Sequence, residues 1–306
     1  MRSLTRLACL AAVATVATAA AAHGGHHDAH DPLRWTWDPW ITAPLALSAL
    51  LFARGWRILA ARTTRGTDDL RRRALAFAAG WVMLAIALVT PLHDAGERSF
   101  SAHMTEHELL MLAAAPALAM ARPLVILLWA FPTRARQMIG RITNSPVVGA
   151  PWDLLTGPVT ATLLQAAALW LWHAPALFDL ALAHEGWHVV QHLCFIVSAL
   201  LFWTAMLGRA PARDADAARA IAILCLFATS IVSGALGALM AVSSSPWYAG
   251  YARLGMAPFG LTPAEDQQVA GLIMWIPGGL VHAAAALVLM RQLLRRRPAQ
   301  GAASVR

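Results

Sequence analysis

The sequence predicts an all-α polytopic membrane protein, with a signal peptide followed by seven transmembrane helices. Three observations carry that expectation. First, 58% of the 306 residues are hydrophobic and only 13% are charged, with a mean hydropathy of +0.56, whereas a soluble domain carries about a quarter charged residues. Second, the apolar residues come in runs of about 20, the length a helix needs to cross hydrocarbon. Only a helix or a closed barrel pairs all of its backbone groups there. Third, all 24 basic residues are arginine, and they gather in alternate loops. The net charge of +8 is therefore the loop charge of a membrane protein, and no nucleic-acid partner is expected.

Residues 1–22 read as a signal peptide: Arg2 and Arg6, an apolar stretch from Leu7, then alanines to Ala22. Small residues stand where cleavage after Ala20, Ala21 or Ala22 requires them. An uncleaved anchor is the alternative, and in either case the next segment lies outside. Residues 23–39 form a polar tail with His23, His26, His27 and His30, a composition suited to metal capture and equally to plain solvation. The bundle occupies 40–291, with apolar segments at 40–61, 74–92, 103–121, 154–173, 187–207, 218–242 and 267–290. The run 124–131 is too short to span, and with Arg134, Arg136 and Arg141 behind it reads as interfacial. Residues 292–306 form an Arg-rich tail.

Orientation follows from the arginines. With the N-terminal tail outside, every arginine after the signal except Arg34, Arg98 and Arg253 falls on the inner side, Arg54 and Arg57 snorkelling from the first helix. The positive-inside rule then holds at every loop. The expected location is the bacterial inner membrane, multi-pass, with a periplasmic N-terminus and a cytoplasmic C-terminus. Trp37, Trp40, Trp172, Trp187 and Trp247 fall at the outer interface, which indoles prefer. Cys9, Cys194 and Cys225 sit in apolar stretches and imply no disulfide framework.

The last helix announces its start. Thr262-Pro263-Ala264-Glu265 is a capping box with proline at the first helical position, which puts Asp266 and Gln267 in the first turn, at the outer surface. Pro277, Gly278 and Gly279 are expected to bend this helix midway. Ser233, Gly237 and Ala241 form a small-residue stripe that reads as packing.

The histidines are sorted. Of twelve, four are in the tail and seven (His93, His103, His107, His173, His184, His188 and His192) lie at outer loops or outer helix ends; only His282 is deep. Ionisable groups in membrane helices are costly and tend to mark function. His103 and His107 are one turn apart on the third helix, and His188 and His192 repeat that spacing on the fifth, with His184 a further turn outward. Both helices run inward, so the pairs share a depth and four imidazoles can converge on one ion. Met111 continues the first stripe and Met104 flanks it. Imidazole suits copper and zinc, and thioether favours Cu(I); haem is the third possibility.

Bland readings stand beside these. Histidines near helix N-termini can be wet interface residues, Met104 and Met111 can be core, and His282 can be a packed polar residue. Glu106 and Glu108 can complement the helix dipole. His103-Met104-Thr105-Glu106-His107 also fits H-x-x-E-H, but it opens a membrane helix, so a seven-helix membrane zinc hydrolase is a fairer competitor than a protease. Asp266 reads either as a dipole carboxylate or as the partner of a ligand imidazole's second N–H.

The string Phe100-Ser101-Ala102-His103-Met104-Thr105-Glu106-His107-Glu108-Leu109-Leu110-Met111, followed by Pro116, resembles the third-helix signature of the CtaG-like cytochrome c oxidase assembly factors. Trp172-His173-Ala174-Pro175, Phe178-Asp179, His188 to His192 and Phe202-Trp203 resemble that family's fourth and fifth helices. Glu265-Asp266-Gln267-Gln268 with Gly271-Leu272-Ile273-Met274-Trp275 resembles its seventh. The matches run in order over roughly 38–290. The resemblance implies maturation of a haem–copper oxidase through copper supply. Its expected partners are the oxidase catalytic subunit and periplasmic copper chaperones. The residues it points to are His103, His107, His173, His188, His192 and Asp266. No complete catalytic apparatus is present, so a non-enzymatic assembly role is expected, with the zinc hydrolase and a bis-histidine haem protein as alternatives.

Overall fold

A computed structural model describes residues 33–208 and 214–295. The signal peptide, the tail histidines, Cys9 and residues 296–306 lie outside the described residues. In chain order the helices are α1 (Pro39–Ala60), α2 (Thr67–Val89), α3 (Pro91–Gly96) and α4 (Phe100–Glu108). A π segment (Leu109–Ala114) leads without a break into α5 (Ala115–Ala121). Then come α6 (Pro123–Leu128), α7 (Thr133–Asn144), α8 (Pro146–Leu155), α9 (Pro158–Trp172) and α10 (Pro175–Ala183). The chain closes with α11 (Glu185–Met206), α12 (Ala215–Val242), α13 (Ala249–Leu254) and α14 (Pro263–Arg295). No strand occurs among the described residues beyond the single bridge between Ala257 and Leu261. The protein is an all-α membrane protein. Five helices (α1, α2, α11, α12 and α14) are long and apolar enough to cross, and six spans result if the bent pair α8–α9 counts as one.

Prolines set many of the boundaries. A residue before proline is pushed out of the helical region, and Thr90, Ser145, Gly157 and Ala174 all adopt extended ψ there. Thr90 therefore ends α2 at Val89, short of the 92 expected. Gly157 splits the expected 154–173 segment, and α8 meets α9 at 68°. Pro116 acts differently. It falls inside the continuous run from Phe100 to Ala121, where its ring would strike a carbonyl four residues back. The preceding turn widens instead: Ala115 N–H reaches Leu110 O, five residues back. Pro277 sits within α14, which continues helical on both sides of it.

Loop contacts tie one end of the bundle together, hereafter the histidine face. Thr36 N–H donates to Val89 O at 2.9 Å, Tyr248 Oη to His173 O at 3.0 Å, and Trp247 N–H to Gln267 Oε1 at 2.7 Å. At the opposite end Arg136 covers the Trp129 ring at 4.2 Å. The short run expected to be interfacial forms α6 and packs against α1. In α6, Ile126 is fully buried, and a side chain at Gly55 of α1 would collide with its carbonyl; only a bare backbone admits α6 that close. The amphipathic α7 carries Arg134, Arg136 and Arg141 instead. α12 and α14 form the most extensive helix pair. An added Cβ at Gly237 would stand 2.7 Å from Gly271 O, so the small-residue stripe is indeed packing.

Candidate metal centre

α4 starts where Ser99 accepts Ala102 N–H, and a second helix secures it. The Asp266 carboxylate accepts Phe100 N–H at 2.7 Å, Ser101 N–H at 3.3 Å and Ser99 Oγ–H at 3.0 Å. Buried at 3% exposure, it satisfies orphan donors of a neighbouring helix and anchors the start of α4 to α14. Asp266 lies in the first turn of α14 as expected, but it is buried against α4 rather than exposed. The bonds found for Asp266 go to the α4 backbone and Ser99, and none goes to an imidazole. The capping box itself forms: Thr262 N–H donates to Glu265 Oε2 at 2.7 Å, and Glu265 N–H returns to Thr262 Oγ1 at 3.3 Å. These bonds hold the Glu265 carboxyl below its ordinary range.

With α4 fixed, its histidines face those of α11. Ring centroids are 4.3 Å apart for His103 and His107, 4.4 Å for His188 and His192, 5.3 Å for His103 and His188, and 4.9 Å for His107 and His192. One ring nitrogen from each of His103, His188 and His192 lies within 4.8 Å of the other two. Two ligands of one ion at 2.0–2.1 Å per bond stand at most about 4.2 Å apart, so small ring rotations suffice to share one. Nε2 of His103, His188 and His192, and both nitrogens of His107, are buried without a hydrogen-bond partner among the described residues. Buried polar atoms are rarely left so. An ion taking lone pairs from this set would satisfy several of them together.

Two groups that residue spacing left unassigned complete the cluster. Glu106 is fully buried and meets His93 Nδ1 at 2.9 Å; its Oε1 is also 3.7 Å from His192 Nδ1. Glu106 lies two turns into α4 and Glu108 further still, too far for a dipole role, which fades after the first turn. Glu106 instead faces the nitrogen of His192 opposite Nε2, where a carboxylate orients a ligand ring. Burial pulls the His93 imidazole down, but Glu106, with Glu97 and Asp94 behind it, outweighs that and raises it from 6.5 to about 9. Gly96 lets α3 lie over this region, since a Cβ there would come within 3.4 Å of Glu106 Oε2. Both tyrosines of the chain are here too, Tyr251 donating to Gly96 O at 2.6 Å. Two tyrosines falling in one outer loop was the available signal.

The remaining candidates divide. His173 holds its ring by Nδ1–H donation to Leu169 O at 2.7 Å, which turns Nε2 toward Met104 Sδ at 3.4 Å. This pair adjoins the cluster, with His173 and His107 centroids 6.4 Å apart. His184 is exposed and N-caps α11 at the mouth of the cleft described next. Met111 falls within the π segment, where the four-residue stripe loses its phase, and it lines a separate small cavity. A cleft of about 1570 Å³ opens beside the cluster, lined by His93, His103, His188 and His192, by Leu45, Leu51 and Phe77 of α1 and α2, and by Ile196 and Leu200 of α11.

Searches of curated proteins and of solved structures return no match. A family model described as cytochrome c oxidase caa3 assembly factor (Caa3_CtaG) matches residues 50–296, a span that holds every histidine of the cluster. The chain belongs to this family of membrane-embedded cytochrome c oxidase assembly factors.

Proposed function

We propose that the protein carries copper as cargo in its histidine cluster and passes it to the catalytic subunit of the oxidase, receiving it from periplasmic copper chaperones. The convergence of His103, His107, His188 and His192, with at least one buried and unpaired ring nitrogen on each, is the observation that carries this reading. Glu106 orients His192, and the Met104–His173 pair beside the cluster adds the soft donor that favours Cu(I). The 1570 Å³ cleft provides the way in and out. The run Phe100–Ala121 and the bent pair α8–α9 serve as two further spans, giving seven, with the histidine face periplasmic in the bacterial inner membrane.

The alternatives fit less well. A zinc hydrolase needs a carboxylate free to act on metal-bound water, and Glu106 is fully buried and engaged by His93. A bis-histidine haem needs a flat slot between its two rings, and the imidazoles here stand too close together for one.

Copper(I) competition titrations on the purified protein test the reading. His107→Ala and His192→Ala should each abolish tight binding at this cluster, with the double variant losing little more there, because groups sharing one site are non-additive. Independent, additive losses would rule out a single site. In cells, either variant should leave the oxidase short of copper.

A further inference from the structure

Where α4 ends at Glu108, directly after His107, a second polar cluster lies inside the bundle. Glu108, Gln165 of α9, Thr229 of α12 and His282 of α14 surround a cavity of about 20 Å³. Glu108 Oε2, Gln165 Oε1 and Thr229 Oγ1 have no hydrogen-bond partner among the described residues, and no side chain pairs with the His282 ring, which meets only the Gly278 backbone one turn back. Gln165, Thr229 and His282 are each at least nine-tenths buried. The His282 ring is held flat against Trp203 at 5.7 Å and 7°, and Trp203 Nε1 in turn donates to Met111 O at 2.9 Å. Met111 and Met274 complete the lining.

So many orphaned groups around one void are costly in hydrocarbon, and a single occupant can satisfy them. The void exceeds the 10–15 Å³ or so that one water needs, and a bare metal ion is smaller than a water. The donor chemistry separates the two occupants. Water would bond the oxygen and nitrogen atoms but gain nothing from two thioethers. A soft cation uses thioether and imidazole together.

We propose that this cavity is a second metal site, taking one copper(I) ion from Met111, Met274, His282 and Glu108. His107, the member of the outer cluster next to Glu108 in sequence, has both ring nitrogens unpaired. It makes a stepping point for an ion moving inward. The proposal deepens the copper reading and rests on it only for the identity of the ion.

The test uses the full chain in nanodiscs, with copper(I) supplied from a bicinchoninate buffer under argon. Copper per chain is counted, and sulfur in the copper shell is read by X-ray absorption. The variant His188→Ala/His192→Ala, with the outer site disabled, should retain one sulfur-ligated copper. Adding Met111→Leu and Met274→Leu, which conserve volume, should remove it. A wild-type protein binding one copper with nitrogen ligands alone would overturn the deep site and leave the outer one standing. Retention of copper after both Met→Leu changes would also overturn it. A wild-type protein that binds no copper at all would sink both readings.

Discussion

The α4 helix and its π extension carry two polar clusters, and the contrast between them is instructive. In the outer cluster one oxygen of the acid has a partner, Glu106 Oε1 meeting His93 while its Oε2 has none among the described residues, and the imidazoles open onto a cleft of about 1570 Å³. In the deeper cluster Glu108 Oε2 has none among the described residues, and the cavity is about 20 Å³. The outer cluster joins α4 and α11 with α3 laid over it, whereas the deeper one draws on α4, α9, α12 and α14. A membrane bundle can therefore keep polar groups in two ways. It can pair some of them with each other near an opening, or enclose them around a small cavity.

Asp266 gives the sharpest way to break this contrast, because it anchors the start of α4 and so holds the outer cluster in place. Asp266→Ala leaves the buried Phe100 N–H, Ser101 N–H and Ser99 hydroxyl without their acceptor. With each orphaned group worth about 1–3 kcal/mol, the loss of unfolding free energy should be on the order of 3 kcal/mol, readable by denaturation in nanodiscs. Asp266→Asn should fold and hold copper within about threefold of wild type, since the loss of a true ligand-orienting carboxylate costs roughly 10- to 100-fold. A drop of that larger size in the Asn variant, with stability unchanged, would make Asp266 part of the metal site after all.

Glu106→Gln comes next in size. It removes the charge facing His192 and should weaken the outer site roughly 10- to 100-fold, while the sulfur-ligated copper of the deeper cavity stays. Equal weakening of both sites would join what the geometry separates.

The smallest effect is a pH dependence. The His93 imidazole is raised from 6.5 to about 9, so its pairing with Glu106 contributes fully below pH 6.5. That contribution fades as pH rises through about 9, since a raised folded value means the folded state holds the proton more tightly. Metal-free wild type should therefore lose about 1 kcal/mol more stability than His93→Gln over this window, a figure kept small because the His93 side chain remains partly exposed to solvent. Thermal midpoints of the two proteins measured across the window check it, and parallel curves would mean that the pair carries no charge.

Much of this was legible in the residues. Apolar run length and arginine placement marked the helices, and the four-residue spacing of His103 with His107 and His188 with His192 foretold convergence. The Thr262–Glu265 capping box forms as its sequence indicates. What escaped was non-local. Asp266 read either as a dipole carboxylate or as the partner of a ligand imidazole because its actual partners, Ser99 to Ser101, are more than 160 residues away in sequence. Glu106 lay inside a motif but met His93 only once α3 folded over α4. Met111 was placed on the histidine stripe by a regular helical period, which the π segment ahead of Pro116 interrupts.

Local chemistry written in the chain thus determined the helical class, the arginine-poor end where the histidines gather, and the boundaries imposed by residues before proline. Those features depend on hydrocarbon thickness, backbone pairing and φ/ψ sterics, which act within one segment. Tertiary structure alone decided which acid faces which imidazole, and that α6 tucks against the bare backbone of Gly55. It also decided that Glu108, Gln165, Thr229 and His282 meet around one cavity. Each depends on how helices distant in sequence pack, and a side chain's partners are set by that packing.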